Sequence, residues 1–324
     1  MHLGLDISKE YFDAMLRLGE DKKEYRRFEN NAKGIQALKE WLKSHGVQKL
    51  HVCMEATNTY WEEVADALRE AGYAVSVVNP ARIKGYAMSQ MRRNKNDKLD
   101  SDVIAEFCAQ VKPALWTPLT ASQRKLRDLV RHRDGLKKTL TQQLNRLANA
   151  HDEEVSASLG KIIESLKAEL SQLEQRVDEF IKADAQLKED KALMVSIDGI
   201  GEVTAHKFLS EIPDLAHYAS ANAAAADVGV TPSHYDSGDT VHRRPHISKM
   251  GKSSIRAILY WPAITAMKHN PLIAAFSARL AARGKPKMVI IVAVMRKLVH
   301  LIYGVLKNRT PFDPNYGQRQ PLPT

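Results

Sequence analysis

Four carboxylates occupy positions where a charged side chain calls for an explanation. Asp6 lies in the apolar segment HLGLDI, and Glu55 directly follows the apolar segment Leu50–Met54. Asp97 and Asp100 stand three residues apart at the start of a predicted helix, so both project from one face. An ionised carboxylate among core residues is costly unless it is paired or bound to a metal. Because converging carboxylate oxygens suit hard divalent cations, the set predicts a site for Mg²⁺ or Mn²⁺.

Each of these carboxylates also has a simpler explanation when it is taken alone. Asp97 could cap the helix, which needs only one side-chain oxygen, and Glu55 could be a surface residue at the end of a strand. Asp102 is out of phase with Asp97 and Asp100, and we interpret it as a charge at the start of the helix. The four residues together favour the metal site, whose ions would activate a nucleophile and stabilise the leaving oxygen at a phosphate.

A serine in a basic segment is the candidate nucleophile. Ser248 lies in the sequence HISKMGK, and the cations around it are Arg243, Arg244, Lys249, Lys252 and Arg256. A serine hydroxyl is a poor nucleophile until a base or a metal activates it and cations hold the phosphate. The segment supplies the cations but no obvious base. Taken alone, it therefore also fits a serine that caps a helix or contacts a phosphate.

Three further segments could contact the phosphates of a nucleic acid. The glycines of Gly199-Ile200-Gly201 would let backbone N–H groups at a helix start approach a phosphate, as in a helix-hairpin-helix element, although a structural turn between helices explains them nearly as well. A second basic patch lies next to the predicted metal site and includes Arg92, Arg93 and Lys95. A third basic run consists of Arg124, Lys125, Arg127, Arg131 and Arg133.

The positive charge of the chain is concentrated at its C-terminal end. The 324 residues carry a net charge of +10. Residues 241–324 hold 15 Lys and Arg against one acidic residue, a balance of +14, whereas the first 240 residues carry 33 basic and 37 acidic residues, a balance of −4. An ordinary surface mixes both signs, so this distribution predicts a polyanionic partner, namely nucleic acid.

Composition and apolar runs indicate the compartment. Cys53 and Cys108 stand in unrelated sequence contexts, which excludes a disulfide scaffold or a cysteine-rich zinc site and fits a reducing cytoplasm. The N-terminal sequence MHLGLDIS is typical of a strand and not of a signal peptide. The most apolar run, Met288–Met295, is eight residues long. It is too short to span a bilayer, so we predict a buried helix and no membrane partner.

The elements that must position the carboxylates follow one another in residues 1–118. Strands are predicted over His2–Ile7, Tyr11–Leu18, Tyr25–Glu29, Leu50–Met54 and Ala74–Val78, and helices over Gly34–His45, Trp61–Ala71 and Lys98–Cys108. Three strands, helix, strand, helix, strand, helix is the order of an α/β RNase-H-like fold, a mixed sheet with helices packed on it. The first and fourth strands are neighbours in such a sheet, which would bring Asp6 and Glu55 together.

A helical arm is predicted over residues 119–188, followed by a mainly α-helical domain over 189–324. Apolar residues spaced by three and four predict arm helices over about 122–150 and 157–184, the second with a coiled-coil heptad seam. The arm could fold back as an antiparallel hairpin, pair with a second subunit, or do both; alternatively, it could be a plain packing unit in one subunit. The last domain is predicted to hold two helical segments within Ser196–Ile212, a loop with one or two short strands over Val228–Ser254, and helices over Ser254–Lys268, Pro271–Ala282 and Lys287–Leu306.

Several separated segments resemble one known family. MHLGLDISK, MEATNTYWE and RRNKNDKLDSDVIAEF match the segments that carry the Asp-Glu-Asp-Asp set of the DEDD transposases of bacterial insertion sequences, the IS110 family. The N-terminal domain of that family is similar to the Holliday-junction resolvase RuvC. The segments SIDGIGEVTAHKFLSEI, DVGVTPSHYDSG, HISKMGKSSIRAILYWPA and MRKLVHLIYGVLKNRTPFDP match it as well. The resemblance therefore covers essentially the whole chain, with the motifs in the family's order.

The resemblance implies a transposase, a site-specific DNA recombinase guided by a structured noncoding RNA, the bridge RNA. It implies a catalytic set of Asp6, Glu55, Asp97, Asp100 and Ser248. We expect Ser248 to attack the scissile phosphate and leave a phosphoserine-linked DNA end, in dimers that assemble into a tetramer on DNA in the bacterial cytoplasm. We also expect Ser248 of one subunit to work with the carboxylates of its partner, the alternative being that the arm folds back and both parts of the site come from one chain. The alternatives are a junction-resolving endonuclease that uses metal-activated water and a non-catalytic nucleic-acid-binding protein.

Overall fold

The chain separates into two compact units, Met1–Pro118 and Leu119–Thr324, which are described one after the other. The computed structural model describes residues 1–19, 22–56, 58–91, 96–237 and 241–315, and for residues 234–237 and 241–245 it describes the backbone only.

The first unit is a mixed sheet with helices packed on it. Its strands are β1 (His2–Ile7), β2 (Tyr11–Arg17), β3 (Lys23–Glu29), β4 (His51–Glu55) and β5 (Ala74–Val78), and its helices are α1 (Ala32–Ser44), α2 (Glu62–Glu70), α3 (Pro80–Ser89) and α4 (Asp97–Val111). The strand order is β3-β2-β1-β4-β5. β1 runs antiparallel to β2 and parallel to β4, and β4 runs parallel to β5. This arrangement is compatible with an RNase-H-like fold and confirms that the first and fourth strands are neighbours.

Helix α4 lies directly on the centre of this sheet. Gly4 of β1 makes that approach possible, because a Cβ atom there would come 2.2 Å from the carbonyl oxygen of Ser101 and 2.3 Å from the backbone nitrogen of Ala105. Near the other end of α4, the Cys108 thiol lies 3.4 Å from the carbonyl oxygen of His51, the first residue of β4. The helix therefore runs opposite to β1 and β4, and its N-terminus lies toward their carboxyl ends.

One prediction about a single residue of this unit was wrong. Asp102 is not a solvated charge at a helix start: it is buried and forms ion pairs with Lys23 at 2.9 Å and Arg17 at 3.9 Å, which tie α4 to the sheet. Cys53 and Cys108, which stand in unrelated sequence contexts, come together in the fold. Both are buried in one core cluster, and a hydrogen bond to Cys53 together with burial raises the pKa of the Cys108 thiol.

The second unit is mainly helical. Its helices are α5 (Ala121–Ala148), α6 (Glu153–Ala183), α7 (Ala185–Val195), α8 (Glu202–Glu211), α9 (Ala221–Val228), α10 (Ser253–Ile258), α11 (Tyr260–His269), α12 (Pro271–Ala282) and α13 (Lys287–Asn308). A short 3-10 helix covers Leu215–His217, and the strands β6 (Pro232–Ser237) and β7 (Val241–Ile247) form an antiparallel pair. The predicted helix Ser254–Lys268 is two helices, since Pro262 cannot donate to the carbonyl four residues earlier, that of Ile258.

The two arm helices pack against each other within one chain. Only residues 149–152 separate α5 from α6, and the Lys137 ammonium reaches Glu174 across the pair at 2.7 Å. The heptad positions Leu159, Ile163, Leu173 and Val177 are buried. At the other end of the pair, the cluster that forms the core of the second unit includes Leu126, Val130, Val177 and Ile181. The helices thus adopt the fold-back arrangement, and pairing with a second subunit stays a prediction.

Helix α13 is the central core helix of this unit. At 22 residues and a mean hydropathy of 2.0 over its most apolar window, it meets the length and composition of a membrane span. The apolar stretch is therefore longer than the eight-residue run considered above. However, its side chains from Ile290 to Leu306 contribute repeatedly to the buried cluster, as expected for the core helix of a globular domain.

Candidate functional site

The register of β1 and β4 brings Asp6 and Glu55 together. Leu5 is paired with Met54 in the parallel ladder, so the next position on each strand places Asp6 beside Glu55 at the carboxyl ends. Side chains alternate along a strand, so Asp6 lies on the same face as Gly4, the face against which α4 packs. Glu55 lies on the same face as Cys53, which packs against α4 residues. Both carboxylates therefore lie on the face that α4 covers, and both are half-buried.

The first turn of α4 adds Asp97 and Asp100. Asn96 is the cap of this helix, because its side-chain oxygen accepts the backbone N–H of Leu99 at 2.8 Å. Asp97 is therefore not required for capping. Asp97 is exposed and Asp100 is half-buried, and the partly positive N-terminus of α4 favours carboxylates at both positions. The structure thus gathers the four predicted carboxylates at one end of one sheet face.

Two more charged residues lie beside this group, and sequence reasoning missed both. Asp13 of β2 is paired directly with Asp6 in the antiparallel ladder, and its side chain is 2 % exposed. Arg27 of β3 donates two hydrogen bonds of 3.0 Å to the Asp13 carboxylate, and the same guanidinium donates to Asp97 Oδ2 at 2.6 Å. The hydroxyl of Tyr25 also donates to Asp13, and this bond and burial raise the pKa of Tyr25. A signal was present in the strand FDAML, where Asp13 is a carboxylate within an apolar run.

The chemistry of the donor set fits a divalent metal. Asp6, Glu55, Asp97 and Asp100 offer carboxylate oxygens alone, which Mg²⁺ and Mn²⁺ prefer over nitrogen or sulfur donors. They belong to neighbouring strand ends and the first turn of one helix. An ion there would polarise a phosphate and offset its charge.

Ser248 directly follows β7 in the second unit. Its backbone N–H donates to the carbonyl oxygen of Thr231 at 3.0 Å, and its Oγ lies 3.4 Å from the hydroxyl oxygen of Thr231. The side chain is half-buried, and the next residue, Lys249, has a positive φ of 55°. The serine is thus held at a defined place on the backbone and is not capping a helix, since α10 begins at Ser253.

The cations around Ser248 divide into two groups. Lys249 is exposed and available to a phosphate. By contrast, the Lys252 ammonium donates to the carbonyl oxygen of Glu211 at 2.5 Å, and Arg256 donates to the carbonyl oxygens of Val228 and Gly251 at 3.0 Å each. These two side chains hold their own unit together, which does not favour the predicted phosphate contacts. Arg243 and Arg244 lie on β7, where only the backbone is described, and Arg92, Arg93 and Lys95 lie outside the described residues.

The Gly199-Ile200-Gly201 turn connects α7 to α8. Gly199 has a φ of +105°, and a Cβ atom there would come 2.7 Å from the Cβ and 2.9 Å from the backbone nitrogen of Ala266. Gly199 is therefore required for close packing against α11. Gly201 precedes α8 in an extended conformation, with open space where a Cβ would be. Packing alone accounts for a glycine at position 199. The predicted phosphate contact of this turn therefore depends on Gly201.

A second acidic group lies where α6, α7 and α8 meet. The ligand atoms of Asp178, Glu202 and His206 lie within 4.8 Å of one another, close enough to hold a metal. However, the Lys191 ammonium lies 3.1 Å from Asp178 and 3.0 Å from Glu202, so a cation already bridges the two carboxylates. His206 is 5 % exposed, and its burial lowers its pKa to about 4. This group is an ion-pair network that joins three helices.

An adjacent network explains part of the basic run at the start of α5. Arg131 binds Glu211 with two hydrogen bonds of 3.0 and 2.9 Å, and the buried Lys207 binds Asp134 at 2.7 Å. Burial alone would raise the pKa of Glu211, but Arg131 and Lys207 outweigh it and lower the pKa to about 2. Arg133 is only 1 % exposed and binds Asp134. Arg131 therefore ties α5 to α8, and Arg133 is too buried to contact a phosphate.

The mixed sheet and its gathered carboxylates are compatible with the RNase-H-like class of proteins, and the comparisons with known proteins narrow the class. Residues 3–154 match a family model described as a DEDD transposase of the IS110 group, and residues 191–278 match the model described as the transposase IS116/IS110/IS902 family. The chain belongs to the IS110 family of transposases. It is therefore a DNA recombination enzyme.

Relatives along the chain agree with this assignment. A pilin gene-inverting protein of Moraxella bovis is 32 % identical over 315 residues, which cover 96 % of this chain and 97 % of the relative. The protein of the same name from Moraxella lacunata is also 32 % identical over 315 residues, with the same coverage. A transposase for insertion sequence element IS1111A of Coxiella burnetii is 24 % identical over 226 residues, 61 % of each chain.

Proposed function

We propose that this protein cuts and rejoins DNA through a phosphoserine-linked intermediate, with Mg²⁺ or Mn²⁺ held by Asp6, Glu55, Asp97 and Asp100. The observation that carries the proposal is the gathering of these carboxylates at the carboxyl ends of β1 and β4, under the first turn of α4. Bound there, the metal would offset charge on the phosphate and on the leaving oxygen. The Moraxella relatives support the recombinase reading, because a gene is inverted only when strands are cut and rejoined.

Ser248 is the proposed nucleophile. Its Oγ forms a bond to the scissile phosphorus, the bond from phosphorus to the 3′ oxygen breaks, and the hydroxyl proton ends on that 3′ oxygen. Rejoining reverses the step: an incoming 3′ hydroxyl attacks the phosphoserine and returns the proton to Ser248. The energy of the phosphodiester bond is kept in the covalent link, so strands can be exchanged without ATP. Lys249, exposed beside the serine, is placed to hold the phosphate.

Guide RNA and oligomeric assembly complete the proposal. The resemblance described above implies a structured RNA that selects the DNA, and strand exchange needs several active sites, which dimers assembling into a tetramer would provide. These features predict that recombination in the bacterial cytoplasm depends on RNA transcribed from the same element. They also predict complexes larger than a single chain when that RNA and DNA are present.

A gel assay for protein-linked DNA tests the mechanism. End-labelled substrate DNA is incubated with the protein, its element's RNA and Mg²⁺, and the products are separated under denaturing conditions with and without protease. The proposal predicts a protease-sensitive, slowly migrating species for the wild type and its loss in Ser248→Ala. Ser253→Ala, an exposed serine five residues away, is the matched control and should keep the species. Cleavage without any linked species would instead support hydrolysis by activated water.

A further inference from the structure

Asp13 and Arg27 form a pair that the proposed mechanism does not use. Asp13 is almost completely buried, and an ionised group removed from water is costly unless its oxygens are bonded. Arg27 lies opposite Asp13 in the ladder between β2 and β3, and its Nε and one terminal nitrogen bind the two carboxylate oxygens. This is the two-pronged geometry that a guanidinium makes and an ammonium cannot.

The same guanidinium reaches the first residue of α4. One terminal nitrogen binds Asp97 Oδ2 at 2.6 Å, and the guanidinium lies 4.1 Å from the ring centre of Tyr11. Within the described residues, only Arg27 is bonded to the Asp97 carboxylate, which leaves Oδ1 for another ligand.

We propose that Arg27 is a positioning residue for Asp97, and that Asp13 holds Arg27 in place for this purpose. Arg27 fixes the Asp97 carboxylate through Oδ2, so that Oδ1 is presented toward a divalent ion shared with Asp6, Glu55 and Asp100. This inference rests on the proposed metal site. In the hydrogen-bonded series Asp13–Arg27–Asp97, Arg27 is not a metal ligand but orients one. Replacing residues that orient metal ligands changes metal affinity by about 10- to 100-fold.

Mn²⁺ titration of the whole protein, followed by calorimetry or electron paramagnetic resonance, tests the role without relying on cleavage. Arg27→Lys keeps the charge but cannot donate the paired hydrogen bonds of a guanidinium, and it should weaken Mn²⁺ binding by about 10-fold or more. Asp13→Asn, which keeps the shape of Asp13 but loses its charge, should weaken it similarly by releasing Arg27. The matched control is Arg26→Lys, a change at the neighbouring arginine, which lies over the Phe28 ring. That control should bind Mn²⁺ like the wild type.

A double variant separates positioning from simple stabilisation. If Arg27 acts through Asp97, then Arg27→Lys combined with Asp97→Asn should bind Mn²⁺ no more weakly than Asp97→Asn alone. A fall in melting temperature with unchanged Mn²⁺ affinity in both Arg27→Lys and Asp13→Asn would overturn the proposal, because Arg27 would then only fasten α4. Tighter Mn²⁺ binding by Arg27→Lys would overturn it too, since Arg27 would be a competitor of the ion.

The failure of this inference can be told apart from failure of the proposed function. If Asp6→Asn abolishes Mn²⁺ binding and Asp97→Asn leaves it unchanged, the metal site stands and the role of Arg27 does not. If Asp6→Asn also leaves binding unchanged, the metal site itself is wrong.

A separate observation concerns the turn between α12 and α13. Residues 281–289 are all exposed, and this turn carries the exposed cations Arg283, Lys285 and Lys287, with exposed Arg279 one turn earlier on α12. Within the described residues, none of these four side chains is in an ion pair. No acidic residue occurs between positions 241 and 312, so no nearby carboxylate in the sequence offsets them. Such a single-sign surface attracts a polyanion.

We propose that these four cations, in and beside the turn between α12 and α13, contact the phosphate backbone of duplex DNA. This proposal rests on the recombinase function and adds a contact surface to it. Duplex DNA is the partner we favour because the family acts on DNA and because a projecting turn of cations can follow a line of phosphates without reading bases. Each phosphate contact contributes a salt dependence of about −0.9 to the log–log slope of affinity against salt.

Replacing all four cations by Gln should weaken binding of a DNA duplex by at least about tenfold at ~100 mM salt and make the slope less steep by roughly one per lost contact. The matched control replaces four exposed cations of α6 by Gln, namely Lys161, Lys167, Arg176 and Lys182, which lie among acidic residues. The control should bind DNA nearly as well as the wild type. Equal losses in both variants, or unchanged binding in both, would overturn the proposal. A loss confined to an RNA hairpin or to phosphatidylserine vesicles would overturn it as well.

Discussion

Gly4 of β1 faces Ser101 of α4 so closely that a Cβ atom on Gly4 would lie 2.2 Å from the Ser101 carbonyl oxygen. The distance between sheet and helix in the first unit is therefore set by the absence of one side chain. Because Asp6 is two residues from Gly4 on the same face, and because α4 carries Asp97 and Asp100, this contact also sets how closely the carboxylates approach one another.

Gly4→Ala should push α4 away from the sheet. Overpacking of this kind costs about 1–3 kcal/mol of unfolding free energy, and the displaced helix should weaken Mn²⁺ binding as well. Denaturant unfolding and Mn²⁺ titration measure the two effects. The control is Gly135→Ala on α5, where a Cβ would meet nothing within 4 Å, and where alanine should stabilise the helix by about 0.5–1 kcal/mol. Unchanged stability of Gly4→Ala would show that the helix can shift without cost.

Asp6→Asn and Asp100→Asn should each reduce DNA cleavage to background while leaving DNA affinity near that of the wild type. The amide keeps the shape of the carboxylate but removes the negative charge that would hold a cation. Cleavage in Mg²⁺ and binding by fluorescence anisotropy are measured on the same preparations, and circular dichroism verifies the fold. Glu70→Gln, an exposed carboxylate at the end of α2, is the control. Cleavage by either Asn variant at a rate near the wild type would contradict the metal assignment.

The strands and helices with strong periodicity were predictable from the sequence. The ranges predicted for β1, β5 and α12 agree with the structure at both ends, since alternation or helical spacing meets a clear stop at each. No helix was predicted between the strand Ala74–Val78 and the helix Lys98–Cys108, and Asn79-Pro80 can equally end a strand. The same two residues start α3: Asn79 caps it by accepting the N–H of Ala81, and Pro80 occupies its first turn, where a missing N–H is tolerated.

The carboxylates of the site could be found from sequence, but the arginine that supports Asp97 could not. Asp6 and Glu55 are visible because each interrupts or ends an apolar run. Arg27 lies in the polar strand KEYRRFE, where the sequence pattern does not distinguish it from Arg26. Only the register between β2 and β3 shows that Arg27, and not Arg26, faces Asp13. A shift of one residue would exchange the two arginines between the faces of the sheet, and sequence patterning specifies that register weakly in a polar edge strand.

Gly199→Ala should lower the unfolding free energy, whereas Gly201→Ala should leave it unchanged. Gly199 combines a positive φ with close contact to the backbone of Ala266, so alanine there should cost roughly 2–4 kcal/mol of unfolding free energy. Gly201 has neither constraint, so Gly201→Ala should fold like the wild type. If the turn contacts a phosphate, Gly201→Ala should weaken DNA binding at unchanged stability. Denaturant unfolding and DNA binding of both variants separate the two roles, and wild-type stability in Gly199→Ala would contradict the packing argument.

His206 should make the second unit less stable as the pH falls from about 6.5 to 4. Its pKa is lowered to about 4 by burial first and then by the positive charge of Lys191, while Asp178 opposes the shift. Arg133 adds to the lowering and Glu202 opposes it. In the unfolded chain the imidazole returns to its ordinary pKa of 6.5, so between these two values the unfolded state binds more protons than the folded state. Stability is therefore full above about pH 6.5 and declines toward pH 4, by at most about 1.4 kcal/mol for each pH unit.

His206→Asn removes this titration, so its unfolding free energy should depend less steeply on pH than that of the wild type over the same range. Urea unfolding at a series of pH values gives both slopes. The control is His217→Asn, which replaces a histidine whose side chain is 83 % exposed. Glu211, whose pKa is lowered to about 2, contributes stability that is lost only below about pH 4.5, so its effect falls outside most of this window. The prediction would be contradicted if His206→Asn and the wild type lost stability with the same slope between pH 6.5 and 4.5. The folded protein would then accept a proton at His206 as easily as the unfolded chain does, so its surroundings would not exclude the charged imidazole.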